Sequence, residues 1–298
     1  MKVRVGFGLG VRTSFNDETF GDLVDALEDL RFDSLWLSER ISGDAPDPVV
    51  ALSFAAGRTT RLKLGTSVMV LPGRNPVLLA KELATLDRMS AGRLLPAFGL
   101  GAVDPQEQQA FGVQRTERAA WFDEALPLIR RLWTEDRVDH DGERFHLSGA
   151  KVRPFPRQDP PEVWLGGIAP SELRRVGRLA DGWLPSFVGA AEAAGGRIVV
   201  ERVAAEHDRA IDAEHYGALL PYSIDPVPDE ILQLLARRRP GTDPTQLVAV
   251  GLPALAARID EFVEVGFSKF VAVPLADPTG PLDHHLAELS AAVRPLEN

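Results

Sequence analysis

Residues 64–101, LGTSVMVLPGRNPVLLAKELATLDRMSAGRLLPAFGLG, constrain this chain more than any other stretch. They read as strand, loop, capped helix, turn and strand. Asn75-Pro76 opens the helix: an Asn side chain accepts from otherwise unpaired amides, and Pro is preset for a first turn. Gly92 closes it. The strands end on Gly65-Thr66-Ser67-Val68 and on Gly99-Leu100-Gly101. Small residues at the carboxyl ends of parallel strands let backbone approach a flat ligand closely.

The same strand-then-helix rhythm runs the length of the chain. Apolar runs predict strands at 3–9, 34–37, 62–70, 93–99, 163–165, 183–184, 216–222 and 270–273. Helical periodicity predicts helices at 17–30, 47–57, 75–92, 118–133, 170–179, 198–211, 253–265 and 282–293. Two Rossmann domains would need a change of topology near the middle and G-x-G-x-x-G after strand one. Gly6, Gly8 and Gly10 have the wrong spacing. The reading is therefore α/β: a (β/α)8 TIM barrel forming one domain over 1–298. Insertions are expected at about 136–161, where Asp141-Gly142 suits a hairpin turn, and at about 223–250, which holds a helix with polar flanks. Pro96 falls inside strand four and removes a ladder donor, so a local bulge is expected there.

Composition narrows the function. A net charge of −10 repels nucleic acid and acidic membrane surfaces. Without cysteine there are no disulfides and no thiolate chemistry. No apolar run is long enough to span a membrane, MKVRVGFGLG reads as a first strand, and a cytoplasmic location is expected. A Schiff-base barrel would need a lysine at a strand's carboxyl end, yet Lys63 and Lys269 begin strands. His140, His146, His207, His215, His284 and His285 fall in loops, insertions or helices, so no metal site is expected.

Three segments carry a resemblance: residues 64–101, the helix from Trp121 to Trp133, and VWLGGIAPSELRRVGRLADGW near strand five. Together they resemble the bacterial-luciferase-like oxidoreductases over nearly the whole chain. Within that family the sequence is most similar to the branch using the deazaflavin coenzyme F420. The resemblance implies a barrel with inserted segments and a homodimer joined through helices of the N-terminal half. It also implies hydride transfer between F420 and a small organic substrate. FMN in a monooxygenase is the alternative coenzyme reading, and a non-catalytic F420- or flavin-binding protein is the other.

Carried over by position, the resemblance places a non-proline cis peptide at Ser67-Val68, behind the coenzyme ring. It assigns coenzyme binding to Gly8, Glu39, Ser67, Val68, Gly99, Gly101, Gly166, Gly167 and Ile168. The amides after strand five would face the coenzyme phosphate, aided by the dipole of the helix opened by Pro170. Many deazaflavin members end strand two in an acid-His pair. Here the residues are Ser38-Glu39-Arg40, and arginine stays protonated. Arg40 would stabilise an enolate or bind an anion, while Glu39 would bond the coenzyme or orient Arg40. Asp104, with Glu107 second, is the proton-donor candidate. Arg12, Arg40 and Arg74 follow strands one to three and would form a cationic rim, with Arg174 and Arg175 on the outer face of helix five.

Overall fold

The computed structural model describes residues 1–10, 13, 16–276 and 281–297. Among them the strands are β1 (Arg4–Leu9), β2 (Ser34–Leu37), β3 (Lys63–Thr66), β4 (Met69–Val70), β5 (Leu94–Leu95), β6 (Ala97–Gly99), β7 (Val138–Asp141), β8 (His146–Ala150), β9 (Trp164–Leu165), β10 (Gly182–Trp183), β11 (Gly217–Ser223), β12 (Ala249–Val250) and β13 (Lys269–Pro274). The helices are α1 (Phe20–Asp29), α2 (Pro48–Arg58), α3 (Pro76–Met89), α4 (Pro105–Phe111), α5 (Arg118–Thr134), α6 (Pro170–Leu179), α7 (Ala190–Ala205), α8 (Asp229–Arg238), α9 (Leu252–Glu264) and α10 (Leu282–Val293).

The strands close into a parallel (β/α)8 barrel. One arc runs β11-β13-β1-β2-β3-β5 and the other β4-β6-β9-β10. They are two parts of one wall, because β3 continues into β4 and β5 into β6. The interruption between β3 and β4 is the Ser67-Val68 peptide, which is cis as the resemblance implied. The interruption between β5 and β6 is Pro96. Single bridges from Trp183 to Tyr216 and from Ser186 to Leu219 join β10 to β11 and complete the ring.

Local chemistry explains how the breaks are tolerated. Beside Pro96, the buried Thr66 hydroxyl accepts from Ala97 N at 2.8 Å and donates to Ala97 O at 2.7 Å. One side chain thus replaces the ladder contacts that the proline disturbs. Two helices start at the caps the sequence marked: Asp47 accepts from Val50 N and Asn75 from Val77 N and Leu78 N. α1 turns Phe20, Leu23, Val24 and Leu27 onto the barrel, giving the outer core between strands and helices. No helix among the described residues is long and apolar enough to cross a membrane.

A second, smaller core fills the barrel interior, built on Trp36, Leu95, Ala97, Trp164, Leu184 and Val271. Trp36 and Trp164 meet edge to face at 6.4 Å. A Cβ at Gly65 would lie 2.3 Å from the Trp36 ring. The vacancy at Gly65 therefore serves indole packing, not approach of a ligand, which corrects the reading of that strand end. At the amino end of the barrel, buried Lys269 donates to Asp33 at 2.7 Å, with Lys63 at 3.4 Å.

Several elements differ from expectation: α1 begins at Phe20 rather than at 17, α7 ends at Ala205 rather than at 211, and β12 was not predicted. α7 starts eight residues earlier than predicted, because Gly195-Gly196 sits inside the helix, where a Cβ at Gly196 would strike Trp183 at 2.4 Å. α4 was not predicted as a helix. β10 begins one residue early, at Gly182. The hairpin β7-β8 turns at residues 142–145, where Gly142 N donates to Phe145 O at 3.0 Å.

Candidate active site

A cavity of about 440 Å³ opens at the carboxyl ends of the barrel strands. That is ordinary room for a small ligand or coenzyme head. Its lining includes Glu39 and Arg40 after β2, Ser67 and Val68 between β3 and β4, Gly99 and Gly101 after β6, and Gly166, Gly167 and Ile168 after β9. These predicted positions, more than a hundred residues apart in the chain, thus face one space. Gly8 does not. Its missing side chain makes room for Val271 and Val273 of β13, while Gly10 reaches the cavity. Asp104 does not line it either.

Val68 is the centre of this floor. A Cβ at Gly99 would come within 2.5 Å of one Val68 methyl, and a Cβ at Gly166 within 3.3 Å of the other. Two glycine-bearing strand ends therefore close around one branched side chain. The segment is also laced to β2, since Ser38 Oγ donates to Ser67 O at 2.9 Å and Glu39 N to Val68 O at 3.3 Å. Apolar Phe98, Leu165, Leu184 and Leu219 complete the lining near the floor.

Glu39 is nearly buried. One carboxylate oxygen pairs with Arg74, and the other accepts from Val70 N at 2.6 Å. Burial raises its pKa above the usual carboxylate value, against the opposing pull of Arg74 and the Val70 amide. Glu39 therefore does not orient Arg40. Arg40 donates to Asp104 at 3.0 Å and lies 3.8 Å from buried Glu107. Asp104 also caps α4 through Gln106 N and Glu107 N. Glu107 in turn accepts from Ser42 N and Ser42 Oγ. The two candidate acids are thus structural acceptors that fix Arg40.

The cationic rim is differently composed from the expected one. Arg12 lies outside the described residues, and Arg40 and Arg74 are matched by carboxylates. Arg175, expected on the outer face of its helix, is instead buried. It lines the cavity, donates to Asp123 at 2.6 Å and lies over the Phe122 ring. Arg174 stays exposed. Sequence reasoning missed Arg238 and Arg239, which α8 brings over the mouth beside Phe187. Arg238 has no carboxylate partner among the described residues. Partial desolvation by the surrounding chain, then repulsion from Arg40 and Arg239, lowers the pKa of this exposed side chain. Arg239 is held by Glu192 at 2.7 Å, yet its Nη1 is buried with no partner. The triple arginine at 237–239 was the available signal.

Residues expected to meet a phosphate are partly engaged. Ile168 N and Ala169 N both donate to Glu172 Oε2, each at 2.9 Å. The floor around Val68 is lined by apolar Phe98, Leu165 and Leu184, while the amides expected to meet a phosphate are met by a carboxylate of the chain itself. Among the described residues no group of His, Asp and Glu is placed to hold a metal ion.

Comparison with known proteins agrees with this geometry. The model of the family described as luciferase-like monooxygenase matches residues 8–266. An F420-dependent glucose-6-phosphate dehydrogenase of Kineococcus radiotolerans is 33% identical over 189 residues, covering 59% of this chain and 55% of that protein. A phthiodiolone/phenolphthiodiolone dimycocerosates ketoreductase of Mycobacterium kansasii is 35% identical over 137 residues, covering 45% and 36%. The chain spans about half the length, or less, of these curated relatives. Among solved structures, an F420-dependent secondary alcohol dehydrogenase in complex with an F420-acetone adduct superposes with TM-score 0.82 at 20% identity, covering 99% and 100% of the two chains. The oxygenating constituent of 3,6-diketocamphane monooxygenase from Pseudomonas putida, with FMN, gives 0.79 at 18%, covering 100% and 99%. At such identities these structures speak for the fold.

Proposed function

The chain belongs to the luciferase-like monooxygenase family, and on that premise we propose that it is a coenzyme F420-dependent oxidoreductase acting on a small organic substrate. The observation carrying the reading is the convergence of Val68, Gly99 and Gly166 on the floor of one cavity at the barrel mouth. The naming of the curated relatives as F420-dependent enzymes supports the deazaflavin over FMN.

When bound, the deazaflavin supplies or accepts a hydride, and the protein's task is position and exclusion of water. Ser67, Val68, Gly99 and Gly101 would hold the ring, with Phe98, Leu165 and Leu184 keeping its surroundings dry. Glu39 presents a buried carboxylate in the same cavity, anchored by Arg74 and the Val70 amide, and is the group we assign to the coenzyme head. Arg40 is steadied and offset by Asp104 and Glu107, while Arg238 places unmatched positive charge at the entrance, where an anionic tail or developing enolate is favoured. We also assign a homodimer to the N-terminal helices, where Val50 and Phe54 of α2 and Leu78 of α3 leave apolar side chains exposed. Sedimentation of wild type against Phe54→Glu tests it: a single monomer species in both would dismiss that assembly.

Parallel fluorescence titrations with F420 and FMN, followed by turnover with enones and quinones, test the function. F420 is expected to bind more tightly and to lose or gain its hydride with an acceptor. Preference for FMN with oxygen consumption would overturn the coenzyme. Tight F420 binding without turnover on any acceptor would reduce the protein to a binder.

A further inference from the structure

The segment joining β6 to α5 carries α4 across the ends of neighbouring strands, and one buried side chain holds both of its feet. Arg118, in the first turn of α5, is 4% exposed. Its Nη1 donates to Leu100 O at 3.1 Å and to Ala102 O at 2.9 Å, where the segment leaves β6. Its Nε donates to Val113 O at 3.4 Å, just past the glycine that ends α4. Nη2 is also buried and has no partner among the described residues. Between the first two contacts lies Gly101, where a Cβ would come 3.0 Å from Arg118 Nη1. Gly101 lines the cavity, so the guanidinium stands directly behind its wall. Burying a charge is costly, and apolar replacement of buried charges is often neutral or stabilising. Stability alone therefore gives no reason for a cation here, whereas the geometry it imposes does. A planar fork reaches both feet at once, which the point charge of a lysine cannot.

What Arg118 holds reaches the cavity by two routes. Asp104 and Glu107 of the segment secure Arg40 and Ser42 after β2. Phe111 closes on the loop after β4: its ring lies under Arg74, and its carbonyl occupies the space that a Cβ at Gly73 would need. Arg74 in turn is the partner of Glu39. We propose that Arg118 is a positioning residue which, by pinning both feet of the α4 segment, sets Arg40 and the Glu39-Arg74 pair in place at the cavity. The consequence for coenzyme binding rests on the F420 reading, whereas the placement of Arg40 does not.

Arg118→Met and Arg118→Lys test it, the second keeping the charge but not the fork. The Nε–Hε resonance of Arg40, identified by its loss in Arg40→Gln, is followed by NMR in the protein without coenzyme. It should move toward that of free arginine in both Arg118 variants. Asp33→Asn, which loosens the barrel at its other end, should leave it in place, so the signal reads position and not stability. Fluorescence titration with F420 should show an affinity about tenfold lower in Arg118→Met. With Asp104→Asn, Glu107→Gln and Phe111→Ala already present, the same substitution should cost less than about twofold, the non-additivity of residues that act through one another. Both measurements are repeated with Arg118→Lys, which decides the matter if methionine prevents folding. A fixed Arg40 resonance, an equal shift in Asp33→Asn, or an undiminished F420 loss in the uncoupled background would overturn the proposal. A displaced resonance in a protein whose wild type binds no F420 upholds the positioning and removes the coenzyme reading. F420 binding with the resonance fixed does the reverse.

Discussion

Thr66→Val isolates the bond pair that lets the floor of the site coexist with Pro96. Valine keeps the shape of threonine and removes only the hydroxyl. Thr66 is 1% exposed and Ala97 0%, so water cannot replace what is lost. The Ala97 amide then has no acceptor in place of Thr66 Oγ1, and Ala97 O loses the donor at 2.7 Å. A buried donor left unpaired costs about 1–3 kcal/mol, and the second bond adds about 1 kcal/mol. The expected loss is about 2–4 kcal/mol, a large part of the 5–15 kcal/mol that holds a typical domain together. Urea unfolding at neutral pH reads it as a midpoint lowered by about 1 M for a slope near 3 kcal/mol/M. Thr66→Ser is the control: it keeps the hydroxyl and drops one methyl, at about 1 kcal/mol. Faster hydrogen exchange at Ala97 should accompany the valine variant alone. The reasoning fails if Thr66→Val stays within about 0.5 kcal/mol of wild type, or if serine costs as much as valine.

Gly99→Ala drives a methyl into Val68, so ring binding should weaken at least about tenfold with a stability loss of about 1–3 kcal/mol. Adding Val68→Ala should restore most of the binding, and lack of rescue in a titration would place the clash elsewhere. At the other end of the barrel, burial works to raise the Asp33 pKa, but Lys269 and Lys63 outweigh it and hold the carboxyl below its ordinary 3.8. A depressed carboxylate contributes stability above its unfolded value that is lost as pH falls through its folded value. Wild-type stability should thus drop on acidification below about pH 4. Asp33→Asn should be about 3–5 kcal/mol less stable at neutral pH, with a shallower acid dependence in urea titrations. Parallel acid slopes for the two proteins would remove Asp33 from the account.

The barrel was readable because its strands are short apolar runs and its helices keep one apolar face, and because Asp47-Pro48 and Asn75-Pro76 punctuate two helix starts. What stayed hidden depends on partners distant in sequence. Gly65 and Gly8 look alike as vacancies beside a ligand, yet Trp36 fills one and the β13 valines fill the other. Gly195-Gly196 resembles a helix break until Trp183 is seen to need that space. The Glu39-Arg40 pair suggested mutual contact, but neighbours on a strand end point apart, toward Arg74 and Asp104 respectively. Arg175 read as solvated because its counter-ion, Asp123, sits on α5. The roof arginines carried a local signal but no clue to their address, which depends on where an inserted segment folds back.

The interlock of Val68 with Gly99 and Gly166 has a bearing on how such a scaffold can be retooled. Three wall segments share one filled volume there, so enlarging any of them alone evicts another, and the base of the chamber changes only in concert. The ceiling is looser at one point: Arg238 is exposed and lies over the Phe187 ring, whereas Phe187 packs on the Ile231-Leu235-Leu247 cluster, so the arginine can be swapped singly. New selectivity for what enters should therefore be sought from above, leaving the platform beneath intact.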